Sequence, residues 1–564
     1  MLEANWIVRE TPCPNKVGAI VEEFGIRKLV AELLLHRGFT ESEAISRFLN
    51  PRLQDLSDPF LLPNMEAAVD RILLAVDRKE RVVLYGDYDV DGVTSLTLLQ
   101  AFLSAYGLEA QTFLPHRMED GYGLNDHGLE RCLSDFSPNL IIAVDCGTSS
   151  ISQVELLKQR EIDVVIVDHH ESNTGALPPA VAVVNPKLGD GFHYFCTAGL
   201  IFKLGHALLK RRRNDRLDLK EWLDLVALGT VADLVPLVDE NRILVRKGLQ
   251  QLAKTRHPGV LALREAAGVS QTPDAYDIGF KLGPRLNAAG RLDTAEVALD
   301  LLRTGDAAEA RRLAEELDQQ NRHRQGLEQR IRDEAVSMLK DLGENLGRGI
   351  VLGSDEWHAG VVGIVASRVV KEFHRPSFVI AFDSEGIGKG SGRSIPGVSL
   401  VDALNACRDL LVHGGGHDMA AGLTLRRENL DAFRERFSAY LEANTAPELF
   451  TPRLDIDLVA TLDEINLGLL DSYEMVHPMG MGNSAPLFMS RGVCLVEEPR
   501  VLKEKHLKLA LQQNGVRLDA MWFNAAHHDL PSGPWDIAYR ISRNEFRGRS
   551  SVSVMIEALR ASRG

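Results

Sequence analysis

The sequence predicts an α/β protein. Its parts are a doubly wound parallel-sheet domain, a long connecting helix, a smaller α/β domain and a small C-terminal β-barrel. Three observations carry that prediction. From Arg81 onward, short β-branched runs alternate with helical segments, the signature of βαβ units. Residues 306 to 342 contain no Pro and only Gly326. After Thr451 the chain changes to short alternating runs such as LDIDLVATL, HLKLALQQ and SSVSVMIEAL, as small barrels require.

The elements follow in order. Residues 1–79 read as helical segments around turns at Asn50-Pro51, Asp58-Pro59 and Pro63; they carry no evident chemistry and are expected to pack on the catalytic domain. The catalytic domain is expected over 80–304, beginning with RVVLYGDYD, an apolar run ending in acids. NLIIAVDCG and DVVIVDHH end the same way. In doubly wound sheets the carboxyl ends of the strands form the ligand crevice, so these acids and imidazoles gather at one edge. The connecting helix is expected over 305–345. A second α/β domain follows over 346–446, with GIGKGSGRS and HGGGH as Gly-rich loops. A barrel fills 451–564.

Composition bounds the answer. The chain has 564 residues, 45% hydrophobic and 25% charged, which suits several globular cores. Lys and Arg total 64 and Asp and Glu 79, so 64 − 79 = −15. That excludes a general polyanion-coating protein but leaves room for a local basic channel. The six cysteines form no CxxC pair, which argues against a zinc knuckle or a disulfide framework. No apolar run approaches a membrane span. MLEANWIVRE lacks the basic and apolar regions of a secretory leader, so a cytoplasmic location is expected.

The chemistry centres on GDYDVDG, residues 86–92. In an extended strand alternate residues face one way, so Asp87, Asp89 and Asp91 would converge. Converging carboxylates repel unless a cation lies among them, and oxygen ligands suit Mg²⁺ and Mn²⁺. An acidic turn capping the next helix is the competing reading. Calcium is disfavoured because Leu98 stands where an EF-hand loop needs Glu. Asp145 follows the next apolar run. Asp168-His169-His170 follows another, and such a triplet at a buried strand end needs partners. Asp233 lies inside an apolar segment and needs one too. A two-metal site accounts for all four groups. No Walker A string is present, since Gly390 follows the Lys of GIGKGSGRS, and the full dinucleotide fingerprint is missing. Neither ATP nor NAD is therefore expected.

GDYDVDG, VDCG, VDHH and TVADLVPL, in this order, resemble the successive motifs of the DHH phosphoesterase superfamily. GPRLNAAGRL, LDQQNRHR, EWHAGVVGIVASR, GSGRS and GGGH extend the likeness to the RecJ single-stranded-DNA-specific exonucleases, from about residue 80 onward. The resemblance implies a metal-dependent 5′→3′ exonuclease that hydrolyses single-stranded DNA in repair and recombination, using two divalent cations, Mn²⁺ or Mg²⁺. It implies Asp89, Asp91, Asp145, His169 and Asp233 as ligands, with Asp145 bridging the ions and His170 touching the scissile phosphate. Many superfamily members carry a His where this sequence has Tyr85, so Asp87 or water would fill that position. By the same resemblance the strand is held by Arg117, Tyr122, Arg285, Asn287, Arg291, Asn321 and Arg324. Ser391, Arg393, Ser394 and His417 would hold a 5′-terminal phosphate. The resemblance makes the C-terminal barrel an OB-like β-barrel, and in it Lys503, Lys505, His506, Lys508, Arg543, Arg547 and Arg549, with Trp522 and Phe523, suggest a basic groove with aromatic platforms. Single-strand binding protein and a helicase that supplies the strand are expected partners. Two rival readings are a DHH-type phosphodiesterase of short oligoribonucleotides or cyclic dinucleotides, and a non-catalytic single-strand-binding scaffold.

Overall fold

The structure, a computed structural model, describes residues 4–116, 123–172, 175–292, 294–341, 346–546 and 548–562. Arg117, Tyr122 and Arg547 lie outside the described residues.

The first sheet is wholly parallel, in the spatial order Gln111–Phe113, Val82–Tyr85, Leu140–Val144, Asp163–Val167, Ala182–Val184. Every residue of Val82–Tyr85 and Leu140–Val144 is buried, because apolar clusters cover both faces. One face packs on the helices Val90–Ala105, Thr197–Arg211 and Leu223–Ala232. The other carries a smaller cluster with Tyr85, Phe113, Leu129 and Leu157. Burial on both sides explains why these strands read as unbroken apolar runs rather than alternating ones. From Val82–Tyr85 the chain winds first to one neighbour and then to the other. That reversal opens a crevice between the carboxyl ends of Val82–Tyr85 and Leu140–Val144.

The connecting helix spans Ala307–Asp341, 35 residues, or about 52 Å. Its first half places Leu313, Ala314 and Leu317 in the catalytic core. Its second half places Ile331, Ala335 and Leu339 in a core with Val362, Val365 and Val379. One rigid element therefore belongs to two cores.

The second domain is a mixed five-stranded sheet, in the order Leu411–His417, Ala420–Arg426, Ile387–Arg393, Ser377–Phe382, Ile350–Ser354. Here the sequence reading is corrected: GKGSGR and HGGGH form strands, not loops. A Cβ on Gly388, Gly390 or Gly392 would meet Phe382, Ile380 or Phe378 within 3 Å. The alternating glycines leave room on one face for bulky neighbours, so they signal close packing rather than a turn.

Among the described residues the C-terminal sheet has seven strands, and it closes into a barrel where Phe488–Leu495 pairs with His506–Gln513. Residues 1–79, expected on the catalytic domain, divide between two domains. Helix Met65–Arg78 belongs to the catalytic core. Val17, Leu29, Leu34 and Phe48 instead share a core with the barrel's Leu469, Trp522 and Tyr539. Strand Asn5–Val8 pairs in parallel with Arg453–Ile456. Among the described residues no helix is long and apolar enough to cross a membrane.

Candidate metal centre

Strand Val82–Tyr85 ends before the acids, and helix Val90–Ala105 begins among them. Asp87, Asp89 and Asp91 therefore do not share one strand face, as strand alternation predicts. Helical winding separates Asp91 from the other two. Asp87 and Asp89 stand with Asp145, and Asp91 stands with His169 and Asp233; Asp145 also groups with His169 and His170. Within each set the ligand-type atoms lie within 4.8 Å of one another. Asp145 and His169, 3.5 Å apart, link the two sides: Asp145 belongs to the Asp87/Asp89 group and His169 to the Asp91/Asp233 group. The capping reading also holds, since Asp89 Oδ1 accepts from Gly92 N at 3.1 Å.

Backbone donors fix these carboxylates. Asp91 accepts from Thr197 N (2.6 Å) and Ala198 N (2.8 Å), at the start of helix Thr197–Arg211. The Thr197 hydroxyl donates to Asp145 Oδ1 at 2.8 Å. Asp145 has φ of +64°, a left-handed conformation that surrounding structure must enforce in a non-glycine residue. Gly229 permits close packing, since a Cβ there would lie 2.8 Å from Asp91 Oδ1 and 2.6 Å from Ala198 Cβ.

His169 Nε2 lies 3.5 Å from both Asp145 Oδ1 and Asp233 Oδ2. It lies 4.0 Å from Asp91 Oδ2. Both His169 Nε2 and Asp233 Oδ2 are buried without a hydrogen-bond partner. Buried polar atoms facing each other in this way need a cation or a proton between them. Burial pushes the Asp145 carboxyl well above the usual range, and the Asp91 charge adds to it. Burial, then Asp91 and Asp89, raise Asp233 to about 9. Burial lowers the His169 pKa, against the pull of Asp91, which leaves a neutral imidazole suited to ligation. A donor set of mutually repelling carboxylates with one neutral imidazole fits a hard divalent cation.

Asp168 works one layer out. It accepts from His169 N (2.8 Å), Thr148 N (3.0 Å) and His170 Nδ1 (2.7 Å). Burial opposes its charge, but the His170 bond and the Thr148 donors overcome burial and hold Asp168 below the ordinary carboxylate range. Burial, the largest influence, opposes the His170 charge, but the bond to Asp168 together with the charges of Asp168, Asp91 and Asp89 overcomes it, so the His170 pKa is raised. Tyr85 turns away from the acids. Its ring lies 5.0 Å from Phe113 in the apolar cluster, and its hydroxyl donates to Gly123 O at 3.2 Å.

The remaining predicted contacts divide. Asn287 Oδ1 accepts from Val90 N at 3.2 Å, so its amide oxygen steadies the acidic turn. Arg285 pairs with Asp318 at 2.9 Å. Arg291 reaches Gly360 O in the second domain at 3.5 Å. Asn321 and Arg324 are buried and bonded to each other at 2.9 Å, not solvated helix residues. Ser394 is buried and donates to Val398 O. Arg393 donates to Ser391 Oγ (2.9 Å) and Gly392 O (2.8 Å). Among the described residues it has no carboxylate partner, and burial lowers its pKa. His417 is exposed at the end of its strand. In the barrel, Trp522 is core and Phe523 is exposed. Lys508 and Arg543 are paired with Asp519, Asp471 and Glu474, so the expected basic groove is partly neutralised.

Family models agree with this layout. The DHH family N-terminal domain matches residues 81–230, the DHHA1 domain 346–443 and the RecJ OB domain 456–558. The chain is 37% identical to the single-stranded-DNA-specific exonuclease RecJ of Dickeya dadantii, over 98% of this chain and 97% of that protein. The chain belongs to the RecJ family. The Bacillus subtilis RecJ is also 37% identical, over 97% of this chain and 70% of that protein. The crystal structure of Thermus thermophilus RecJ in complex with Mn²⁺ superposes with a TM-score of 0.85 at 30% identity, covering 99% of this chain and 80% of that one. The Mg²⁺ complex gives 0.79, again over 99% of this chain and 79% of that one.

Against the RecJ motifs, the sequence reading missed Thr197, Asp168 and Thr148 as supports of the acids. FCTAGL shows small residues at a helix start, a signal for a helix N-terminus. That this N-terminus faces Asp91, 106 positions away, is a tertiary fact.

Proposed function

We propose that this chain is a single-stranded-DNA-specific exonuclease that works from the 5′ end with two divalent cations, Mn²⁺ or Mg²⁺, in DNA repair and recombination. The observation that carries the reading is Asp145, held in a left-handed conformation between two groups of ligand-type side chains. Asp87, Asp89 and Asp145 would hold one cation; Asp91, His169, Asp233 and the shared Asp145 would hold the other. When bound, such a pair supplies Lewis acidity and clamps the phosphodiester at neutral pH.

The chain's own groups supply orientation. Thr197 and the backbone N–H groups beside it hold Asp91 and Asp145 in place. Asp168 keeps His170 protonated to a higher pH than a free imidazole, so His170 donates to a non-bridging phosphate oxygen. Asn287 fixes the turn that carries Asp89. Ser391 and Arg393, with His417, receive the 5′-terminal phosphate; a guanidinium without a carboxylate partner supports that role. Arg117, Tyr122 and Arg291 complete the strand path. Single-strand binding protein and a helicase are the proposed partners, and the cytoplasm the proposed location.

The test digests 5′-labelled single-stranded DNA beside blunt duplex DNA and a short oligoribonucleotide, with Mn²⁺ and with chelator. Metal-dependent release of mononucleotides from the single strand is expected. Asp145→Ala should abolish cleavage and keep strand binding. A strong preference for dimer-sized RNA would overturn the assignment in favour of a short-substrate phosphodiesterase. Binding without cleavage in the wild type would make the protein a scaffold.

A further inference from the structure

We infer that Tyr276 and Phe280 form a stacking platform for the bases of the single strand, on the polymer side of the metal group. The inference rests on the single-strand reading above.

The two rings lie on a short segment that runs along the end of the helix leading to Asp233. A Cβ on Gly279 would lie 3.9 Å from Val231 Cγ1, and one on Gly283 would lie 3.5 Å from Ala232 Cβ. The segment is fixed in place. Asp274 and Asp277 form a reciprocal capping box, and Asp277 also pairs with Lys281 at 2.6 Å. Ile278–Leu282 winds as a π-helix, a local widening that recurs at functional sites. The acids of the segment are thus engaged in holding its shape, and the rings are what it presents outward.

Tyr276 and Phe280 are 60% and 69% exposed, the two most exposed aromatic side chains among the described residues. They stack on each other with centroids 4.6 Å apart and planes 25° apart. A local pair at this spacing adds only a few tenths of a kcal/mol to a helix. That gain does not account for leaving two large rings in water. A nucleobase does, because every base has a π face and stacking ignores sequence.

The surroundings select the occupant. Leu234, the residue after Asp233, is 69% exposed and has φ of +62°. The following residues meet the loop that leads into the barrel: Leu237 N donates to Met481 O at 2.7 Å, and a Cβ on Gly482 would lie 2.9 Å from Pro236. Met481 is also exposed. An apolar rim therefore borders the catalytic domain from Asp233 toward the barrel. Lys281 and Arg285 follow the rings in the chain and are joined by a bond from Arg285 to Lys281 O, and each is already paired with an acid, Asp277 and Asp318. Two exposed, mutually stacked rings on an apolar rim match the bases of a single strand, whose π faces stack without regard to sequence.

The experiment compares the wild-type enzyme, Tyr276→Ala/Phe280→Ala and the ring-preserving Tyr276→Phe/Phe280→Tyr. KM and kcat are measured with Mn²⁺ on oligothymidylates of increasing length. The double alanine variant should raise KM about tenfold or more on strands long enough to reach the rings, with kcat on those strands changed far less. The ring-preserving variant should restore the wild-type KM. In a second measurement Phe280→Trp should show fluorescence quenching when an oligothymidylate binds in the presence of chelator-inactivated sites. An unchanged KM in the alanine variant, or an unquenched Trp under conditions where the strand is bound, would overturn the platform. Failure of the wild-type enzyme to cut single-stranded DNA would instead overturn the proposed function, so the two failures are distinguishable.

Discussion

Asp233→Asn tests the electrostatics of the centre without a substrate. Burial, then the Asp91 and Asp89 charges, raise the folded-state pKa of Asp233 to about 9; in the unfolded chain an Asp titrates near 3.9. Between those values the folded, metal-free protein holds a proton that the unfolded chain has released. The shift is upward, so the stability is present at low pH and is lost as pH rises. The slope is about 1.4 kcal/mol per pH unit, or roughly 3 kcal/mol between pH 5 and pH 7. Asn keeps the shape and carries no ionisable proton. The variant's stability should therefore fall less steeply with pH, and near pH 8 the chelator-treated variant should exceed the wild type in stability. Mn²⁺ should reverse the order, since a ligand that binds only the folded state stabilises it by mass action and the variant offers one charge fewer. Urea unfolding at intervals from pH 5 to pH 9, with and without Mn²⁺, reads the difference directly. Parallel curves for the two metal-free proteins would refute the reasoning, because the like charges would then cost nothing on folding.

Three further outcomes follow from particular contacts. Arg393→Ala should reduce discrimination between 5′-phosphorylated and 5′-hydroxyl strands by about tenfold or more, since charge-assisted bonds contribute about 1.5–3 kcal/mol; competition between the two strands measures it. His170→Asn should lower kcat about 100-fold while Mn²⁺ affinity is retained. The wild-type advantage should be full at acid pH and shrink as pH climbs past the raised His170 pKa, which a pH–rate comparison checks. Arg242 donates to Phe48 O, Val476 O, Met475 O and His477 O and lies 3.7 Å over the Phe48 ring. Arg242→Met should cost about 2–4 kcal/mol and expose the seam between the N-terminal helices, the barrel and the catalytic domain, visible as a lower melting temperature and new protease cleavage near Met475.

Most of the parallel sheet was legible because its strands are buried on both faces and separated by helices of ordinary length. The acids were legible for a related reason: Asp145 and Asp168 directly follow apolar runs, where unpartnered charge is costly. Local pattern failed where side-chain absence has two meanings. The glycines of GKGSGR and HGGGH suit a turn, but both segments are strands, and those of GKGSGR admit Phe378, Ile380 and Phe382. Burial was not legible at Asn321 and Arg324, which lie on a long charged helix and are buried and bonded to each other.

The sequence by itself determined the order of elements, the family and the inventory of carboxylates and imidazoles, since hydrophobic periodicity and motif spacing are properties of the chain. Only the tertiary structure decided which acids meet. Asp91 leaves its neighbours for His169 and Asp233 because a helix, not a strand, begins at Val90, and Asp145 joins both sides because Thr197 and its helix N-terminus arrive there from 52 positions away. Contacts at that separation arise from how helices pack across the sheet, which no local pattern in the sequence encodes.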